Sequence, residues 1–207
     1  MDLLTTADRI IAGASELFFS SGYSKVTVEE IAERIGITKK TIYNHFPTKL
    51  NLLEAVINTT IHGLINDLES IAGNPELDFL EKLTSGLEYI FLQLTTYKRN
   101  LIEEFSKYTS QLDDDTLPDV REKLVPIIQR LVDEGVEKGL VRSDVSRELL
   151  PYTYLSLVWG EVALYRRFSL PINPGELLVK SIQHTLGGIL TRQGVETLLQ
   201  KGDRLDG

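Results

Sequence analysis

Gly36-Ile37-Thr38-Lys39-Lys40-Thr41-Ile42-Tyr43-Asn44-His45-Phe46-Pro47 is the stretch that decides how this chain is read. Gly36 breaks whatever helix precedes it, Thr38 supplies an N-cap, and Pro47 stops the helix that Thr38 starts. Within that short helix Ile42 and Phe46 stand four residues apart, within about 40° of each other, and so define its buried face. Lys40 and Asn44 fall opposite them, flanked by Thr41 and Tyr43. That outer face carries a cation and an amide suited to base edges, a hydroxyl, and an aromatic hydroxyl suited to phosphate. Lys39 and Lys40 also break a local rule, because the positive end of the helix dipole disfavours cations in a first turn. Such violations concentrate at functional sites, and an arriving phosphate backbone would reverse the sign of the penalty.

Working outward, Thr27-Val28-Glu29-Glu30 is a Thr-x-x-Glu capping box that opens another short helix. Ile31, Ala32 and Ile35 give that helix its apolar side. A longer helix precedes it, with Ile10, Ala14, Leu17 and Phe18 recurring on one face. Thr5 or Thr6 caps its start, and Gly22 is expected to end it in a left-handed turn. Two short helices joined by a tight glycine turn and packed on a third make a helix-turn-helix, whose second helix enters the major groove. Thr27 and Thr38 serve as caps whether or not they also touch DNA.

Past Pro47, Thr48 caps a long fourth helix that runs towards Gly73, and Asn74-Pro75 is the clearest turn. Helices are expected at 77–97, 99–111, 118–138, 146–168 and 174–199. The breaks between them are Asp113-Asp114-Asp115, Gly139 with Ser143-Asp144, and Pro171 to Pro174. No strand pattern or internal repeat interrupts this layout, so the expected fold class is all-α.

A net charge of −8 sits oddly with a nucleic-acid surface, but the charge is unevenly spread. Residues 1–50 hold six Lys or Arg against six Asp or Glu, leaving sixteen against twenty-four beyond residue 50. All the net acid therefore lies in the later part, and the front segment is locally neutral with its cations grouped at the third helix. At 42% hydrophobic and 25% charged residues the chain has the balance of an ordinary globular protein. No apolar run approaches the roughly 18 residues a membrane span needs. Met1-Asp2-Leu3-Leu4 lacks the basic and apolar succession of a signal peptide, and there are no cysteines. A cytoplasmic protein without membrane, metal or cofactor is the expectation.

The segment Gly22-Tyr23, Thr27-Val28-Glu29-Glu30-Ile31-Ala32 and Gly36 through Phe46, followed by Lys49 and Leu52-Leu53, resembles the N-terminal DNA-binding region of the Tet repressor family. The resemblance covers about the first 55 residues. It implies that Thr27, at the second helix's cap, touches phosphate, and that Lys39, Lys40, Thr41 and Asn44 lie at the groove, with Thr38, the third helix's cap, a further DNA contact. It implies phosphate contacts for Tyr43, His45 and Lys49. Lys40 stands where many relatives carry glycine or another small residue, so the family's base preference does not carry over to it; guanine O6/N7 is the partner that a lysine suits. The implied division is a helix-turn-helix DNA-binding domain at 1–50 and a helical ligand-binding and dimerisation domain at 51–207. Segments 146–168 and 174–199 would pair two copies into a homodimer. Gly160, Gly187 and Gly188 would allow close approach there, or serve only local flexibility. Phe91, Phe105, Tyr108, Tyr152, Trp159 and Tyr165 are the candidate lining of an effector pocket, although aromatics at helical spacing are also ordinary core. The expected function is a repressor released from a pseudo-palindromic double-stranded operator by a small-molecule effector.

An enzyme would need a constellation that the sequence does not offer. His45, His62 and His184 are scattered, and neither His-Glu-x-x-His, Gly-x-Ser-x-Gly nor a phosphate-cradling Gly-x-x-x-x-Gly-Lys loop occurs. Glu103-Glu104 and Asp113–Asp115 are neighbours in sequence that do not converge on a helix. A protein-interaction adaptor that keeps the fold but has lost DNA or ligand binding stands as the other reading, and the intact cationic front argues against the loss of DNA.

Overall fold

The computed structural model describes residues 5–96, 118–157, 160 and 174–202. These fall into two compact units, one formed by residues up to 64 and the other by 65–96 together with the described residues from 118 onward. In chain order the helices are α1 (Thr6–Ser21), α2 (Val28–Ile35), α3 (Lys39–His45), α4 (Lys49–Ala72), α5 (Phe79–Thr96), α6 (Pro118–Glu137), α7 (Pro174–Ile189) and α8 (Arg192–Gly202). Residues 150–157 are helical as well. The described residues contain no strand, and their one extended pairing is an isolated bridge between Val141 and Leu190. The chain is all-α.

Each helix of the first unit begins on a local device that the sequence announces. Thr5 caps α1, with Asp8 returning a carboxylate bond to the Thr5 amide at 3.0 Å. The Thr5 hydroxyl, donating to the same carboxylate at 2.6 Å, and then the Thr5 amide hold the Asp8 carboxyl below its ordinary range. Thr27 and Glu30 form the same reciprocal box on α2, and Thr48 accepts from the Asn51 amide at 3.0 Å to open α4. The end of α1 differs from expectation. Gly22 has φ 90° and ψ 140°, a positive-φ extended geometry outside the left-handed helical basin, while its amide still bonds Phe18 O at 3.0 Å. The chain thus leaves α1 extended and turns at Gly22 to Lys25 instead.

The core of this unit gathers Ile10, Ala14 and Phe18 from α1, Val28, Ile31 and Ala32 from α2, Ile42 from α3, and Leu52, Leu53, Val56 and Ile57 from α4. Its packing therefore runs past residue 50 into the first turns of α4. Phe18 and Tyr23 meet edge to face at 5.2 Å between ring centroids, a favoured aromatic geometry. Ile35 of α2 packs against α1 at Gly13, where an added Cβ would lie 2.3 Å from Ile35 Cγ2.

In the second unit α5 packs on α6 and α7. One core cluster joins Val132, Leu150, Leu178, Ile182, Leu186 and Ile189, and another joins Phe79, Leu80, Val141 and Leu190. Lys82 of α5 reaches Glu134 of α6 at 2.8 Å, and Lys138 reaches the same carboxylate at 2.6 Å. Burial opposes ionisation of Glu134, yet the two lysines prevail and hold its pKa below the ordinary value. The continuous helix expected over 174–199 is two helices. Leu190 leaves the helical path to bridge Val141, the Thr191 amide bonds Leu140 O at 2.9 Å, and the Thr191 hydroxyl accepts from the Gly194 amide at 3.0 Å to cap α8. The same hydroxyl donates to Gly139 O at 2.8 Å. Gly194 makes this junction possible, since a Cβ there would sit 2.3 Å from Leu140 O.

Candidate nucleic-acid interface

The turn between α2 and α3 is built from backbone hydrogen bonds around Gly36. Its φ of 73° and ψ of 39° place it in the left-handed region, its amide bonds Glu33 O at 3.3 Å, and the Ile37 amide bonds Ala32 O at 3.0 Å. This is the paired-bond helix ending that glycine favours. Thr38 follows in extended geometry, and its hydroxyl accepts from the Thr41 amide at 3.1 Å, starting α3 two residues after α2 has turned. Phe46 ends α3 at φ −130° and ψ 97°, as expected of a residue before proline.

Ile42 is 1% exposed and anchors α3 to the core. Lys40, Tyr43 and Asn44 are exposed on the other side, Tyr43 at 38%. Thr38, Lys39 and His45 are exposed too, and Thr41 is half-buried. The structure thus brings Thr38, Lys39, Lys40, Thr41, Tyr43, Asn44 and His45 together on one short helix and its cap. The side chain that sequence reasoning leaves unpaired but the fold does not is Lys39. Its ammonium bonds Glu29 of α2 and lies 5.7 Å from the Tyr43 ring centroid. The bond to Glu29 raises the Lys39 pKa and lowers that of Glu29, so both are charged at neutral pH. Among the described residues no carboxylate pairs with Lys40.

Thr27 is engaged in its own box, receiving the Glu30 amide at 3.2 Å and giving its amide to Glu30 Oε2 at 2.6 Å. The Thr27 amide first, and then its hydroxyl donating to the same Glu30 Oε2 at 2.9 Å, hold the Glu30 carboxyl below the usual range. Lys49 turns inward at the start of α4. Its ammonium donates to Tyr23 O and lies 4.1 Å from the Tyr23 ring centroid, tying α4 to the loop after α1. His45 sits beside Phe46, ring centroids 6.4 Å apart.

Of the aromatics singled out for an effector, Phe105, Tyr108, Trp159 and Tyr165 lie outside the described residues, and Phe91 is placed in α5 by its backbone alone. Tyr152 is 41% exposed, with the Arg121 guanidinium 5.4 Å from its ring centroid. Sequence reasoning passed over Tyr154. Its hydroxyl is buried, finds no hydrogen-bond partner among the described residues, and is pushed up to about 12 by burial. The signal was available in principle, because Tyr152 and Tyr154 alternate around a helical turn and cannot share a face.

A three-helix unit with a capped, lysine-bearing helix presented outward defines a helix-turn-helix DNA-binding protein. Residues 10–56 match the family model described as bacterial regulatory proteins, tetR family. That match makes the N-terminal region a TetR-type DNA-binding domain, and over its length the chain is similar to TetR-family transcriptional regulators. It is 26% identical over 199 residues to the HTH-type transcriptional repressor KstR2 of Mycolicibacterium smegmatis, covering 90% of this chain and 92% of that one. Among solved structures it resembles a TetR transcription regulator from Haloarcula marismortui, at a TM-score of 0.70 and 15% identity over 89% of this chain and 98% of the other. It also resembles Thermus thermophilus FadR, a TetR-family repressor crystallised with lauroyl-CoA, at a TM-score of 0.61 and 21% identity over 90% and 96% of the two chains. The two structural likenesses share the all-helical fold.

Proposed function

We propose that this chain is a cytoplasmic repressor, acting as a homodimer on a pseudo-palindromic operator and released when a small molecule binds its second unit. The observation that carries the DNA half is the exposed face of α3. Lys40 and Asn44 stand opposite buried Ile42, in a helix whose first turn bears cations against its own dipole. In this reading Lys40, Thr41 and Asn44 meet base edges, with Lys39 and Thr38 at the groove margin. Tyr43, His45, Thr27 and Lys49 meet phosphate. DNA binding belongs to the first unit, effector binding and dimerisation to the second.

Two features support the regulatory half. α4 starts in the first unit and ends in the second, which makes it the covalent path from effector to α3. The repressor crystallised with lauroyl-CoA shares the fold. The dimer would use segments 146–168 and 174–199, where Gly160, Gly187 and Gly188 stand open in the single chain. Such an interface should bury about 2,000 Å² or more and hold the two α3 helices about 34 Å apart, or a multiple of it. A coupling of about 1–3 kcal/mol between effector and operator is the usual size.

Selection of bound duplexes from a random pool, repeated with candidate small molecules, tests the whole reading. It should return a two-fold-related sequence whose recovery drops with one class of molecule. A pool that stays random after selection would refute it. Tyr154→Phe should leave the fold intact, because an unpaired buried hydroxyl is removed. If that hydroxyl receives the effector, the variant should respond to it at least tenfold more weakly.

A further inference from the structure

α2 and α3 meet near their N-terminal turns through a single ion pair, Glu29 with Lys39, whose side chains are 56% and 47% exposed. The pair is not needed to hold the two helices together. The bonds around Gly36, the Thr38 cap, and buried Ile31 and Ile42 already do so. Exposed pairs of this kind add little to folding. Glu29 gains from the dipole of its own helix, whereas Lys39 opposes that of α3, so the carboxylate offsets an unfavourable cation.

We infer that Glu29 is a built-in competitor of DNA phosphate for the Lys39 ammonium, so that Lys39 is held neutralised until a phosphate displaces or shares it. The inference rests on the DNA-binding reading of α3 and concerns how strongly charge alone holds the chain on DNA. Whether the phosphate displaces Glu29 or shares the three donors of the ammonium, a carboxylate remains beside a polyanion. Lys39 and Glu29 together then contribute almost no net charge to the complex. Sequence-independent affinity comes from cations that neutralise phosphates and release counterions, and it is this component that Glu29 suppresses. Lys40, with no carboxylate partner among the described residues, and Asn44 keep their access to base edges. Glu29 therefore shifts the chain's hold on DNA from charge towards base contacts.

Fluorescence anisotropy on a random-sequence duplex, titrated between about 50 and 200 mM salt, tests this with Glu29→Gln, Glu29→Asp, Lys39→Gln and the Glu29→Gln/Lys39→Gln pair. Glu29→Gln should bind about tenfold tighter at about 50 mM salt and steepen the salt slope by about 0.9, the effect of one further neutralised phosphate. Glu29→Asp keeps the charge and should bind as the parent does, and the double variant should lose the whole gain. Unchanged or weaker binding by Glu29→Gln, with an unaltered thermal melt, would overturn the inference while leaving the DNA-binding reading in place. So would a gain that survives in the double variant. If the parent and every variant ignored duplexes at the lowest salt, the reading of α3 itself would fail first.

Discussion

α2 and α3 are two short helices of nearly equal length, each opened by a threonine cap and each held by isoleucine in one core, yet their first turns carry opposite charge. α2 begins with Glu29 and Glu30, which the helix dipole favours, and Glu30 closes a reciprocal box on Thr27. α3 begins with Lys39 and Lys40, which the dipole disfavours, and its cap has no returning carboxylate. In α2 the apolar side, the cap and the sign of the first-turn charges all suit the helix itself. In α3 the apolar side and the cap are accounted for by folding, and the charges are not. The difference between neighbours of equal architecture isolates the part of α3 that answers to something outside the protein.

The comparison breaks most severely if either apolar anchor is removed. Ile31→Ala and Ile42→Ala, at side chains 0% and 1% exposed, should each cost about 2–5 kcal/mol in chemical denaturation. Both should abolish DNA binding, because both helices rest on one core. Charge changes should separate the two helices instead. Lys40→Glu should lower duplex affinity by about tenfold or more in a gel shift while leaving the melting temperature unchanged or higher. Its mirror in α2, Glu30→Lys, should lower the melting temperature, since it breaks the box and sets a cation against the dipole. The caps should behave alike: Thr27→Ala and Thr38→Ala should each cost about 1 kcal/mol by thermal denaturation. Unequal cap losses would show that one threonine is held by more than its helix.

The smallest expected effect is one of pH. The Glu30 carboxyl titrates below its ordinary 4.5, so its contribution is complete above that value and is lost as pH falls through the depressed folded-state pKa. Acidification below about 4.5 should therefore fray the start of α2 before that of α3, whose cap contains no titrating group. Amide exchange at Glu30 should quicken in acid relative to Thr41 after correction for intrinsic rates. Parallel behaviour of the two amides would remove the distinction.

The first unit was legible because its signals are local. Thr5, Thr27, Thr38 and Thr48 each cap the helix that follows within three residues, Gly36 turns where only glycine is comfortable, and Pro47 sets the geometry of Phe46. The second unit was legible as helix but not as arrangement. Gly187-Gly188 and the cap-forming Thr191 hinted at a break near Leu190, but glycines inside a helical pattern do not by themselves say where the chain leaves the helix. The break arises because Leu140 and Val141, some fifty residues earlier, offer backbone partners there. The tightly packed glycines were missed for the same reason. Gly13, Gly135 and Gly194 are pressed by Ile35, by Phe79 with Val141, and by Leu140 O, and only the folded chain reveals such neighbours. Lys39 shows the limit within the first unit: its dipole conflict was readable, while its partner Glu29, ten residues away across a turn, was not.

The contact at Gly13 gives the first helix a say in where the third one points. Because a Cβ at residue 13 would lie 2.3 Å from Ile35 Cγ2, α1 leaves no room there for a side chain while Ile35 keeps its place, and α3 is fastened to α2 through the Gly36 turn. A methyl group at residue 13 would act like a shim under a bracket, tilting everything mounted on it. The aim of the outward face is thus set by an atom that is missing from a residue with no role on the surface at all.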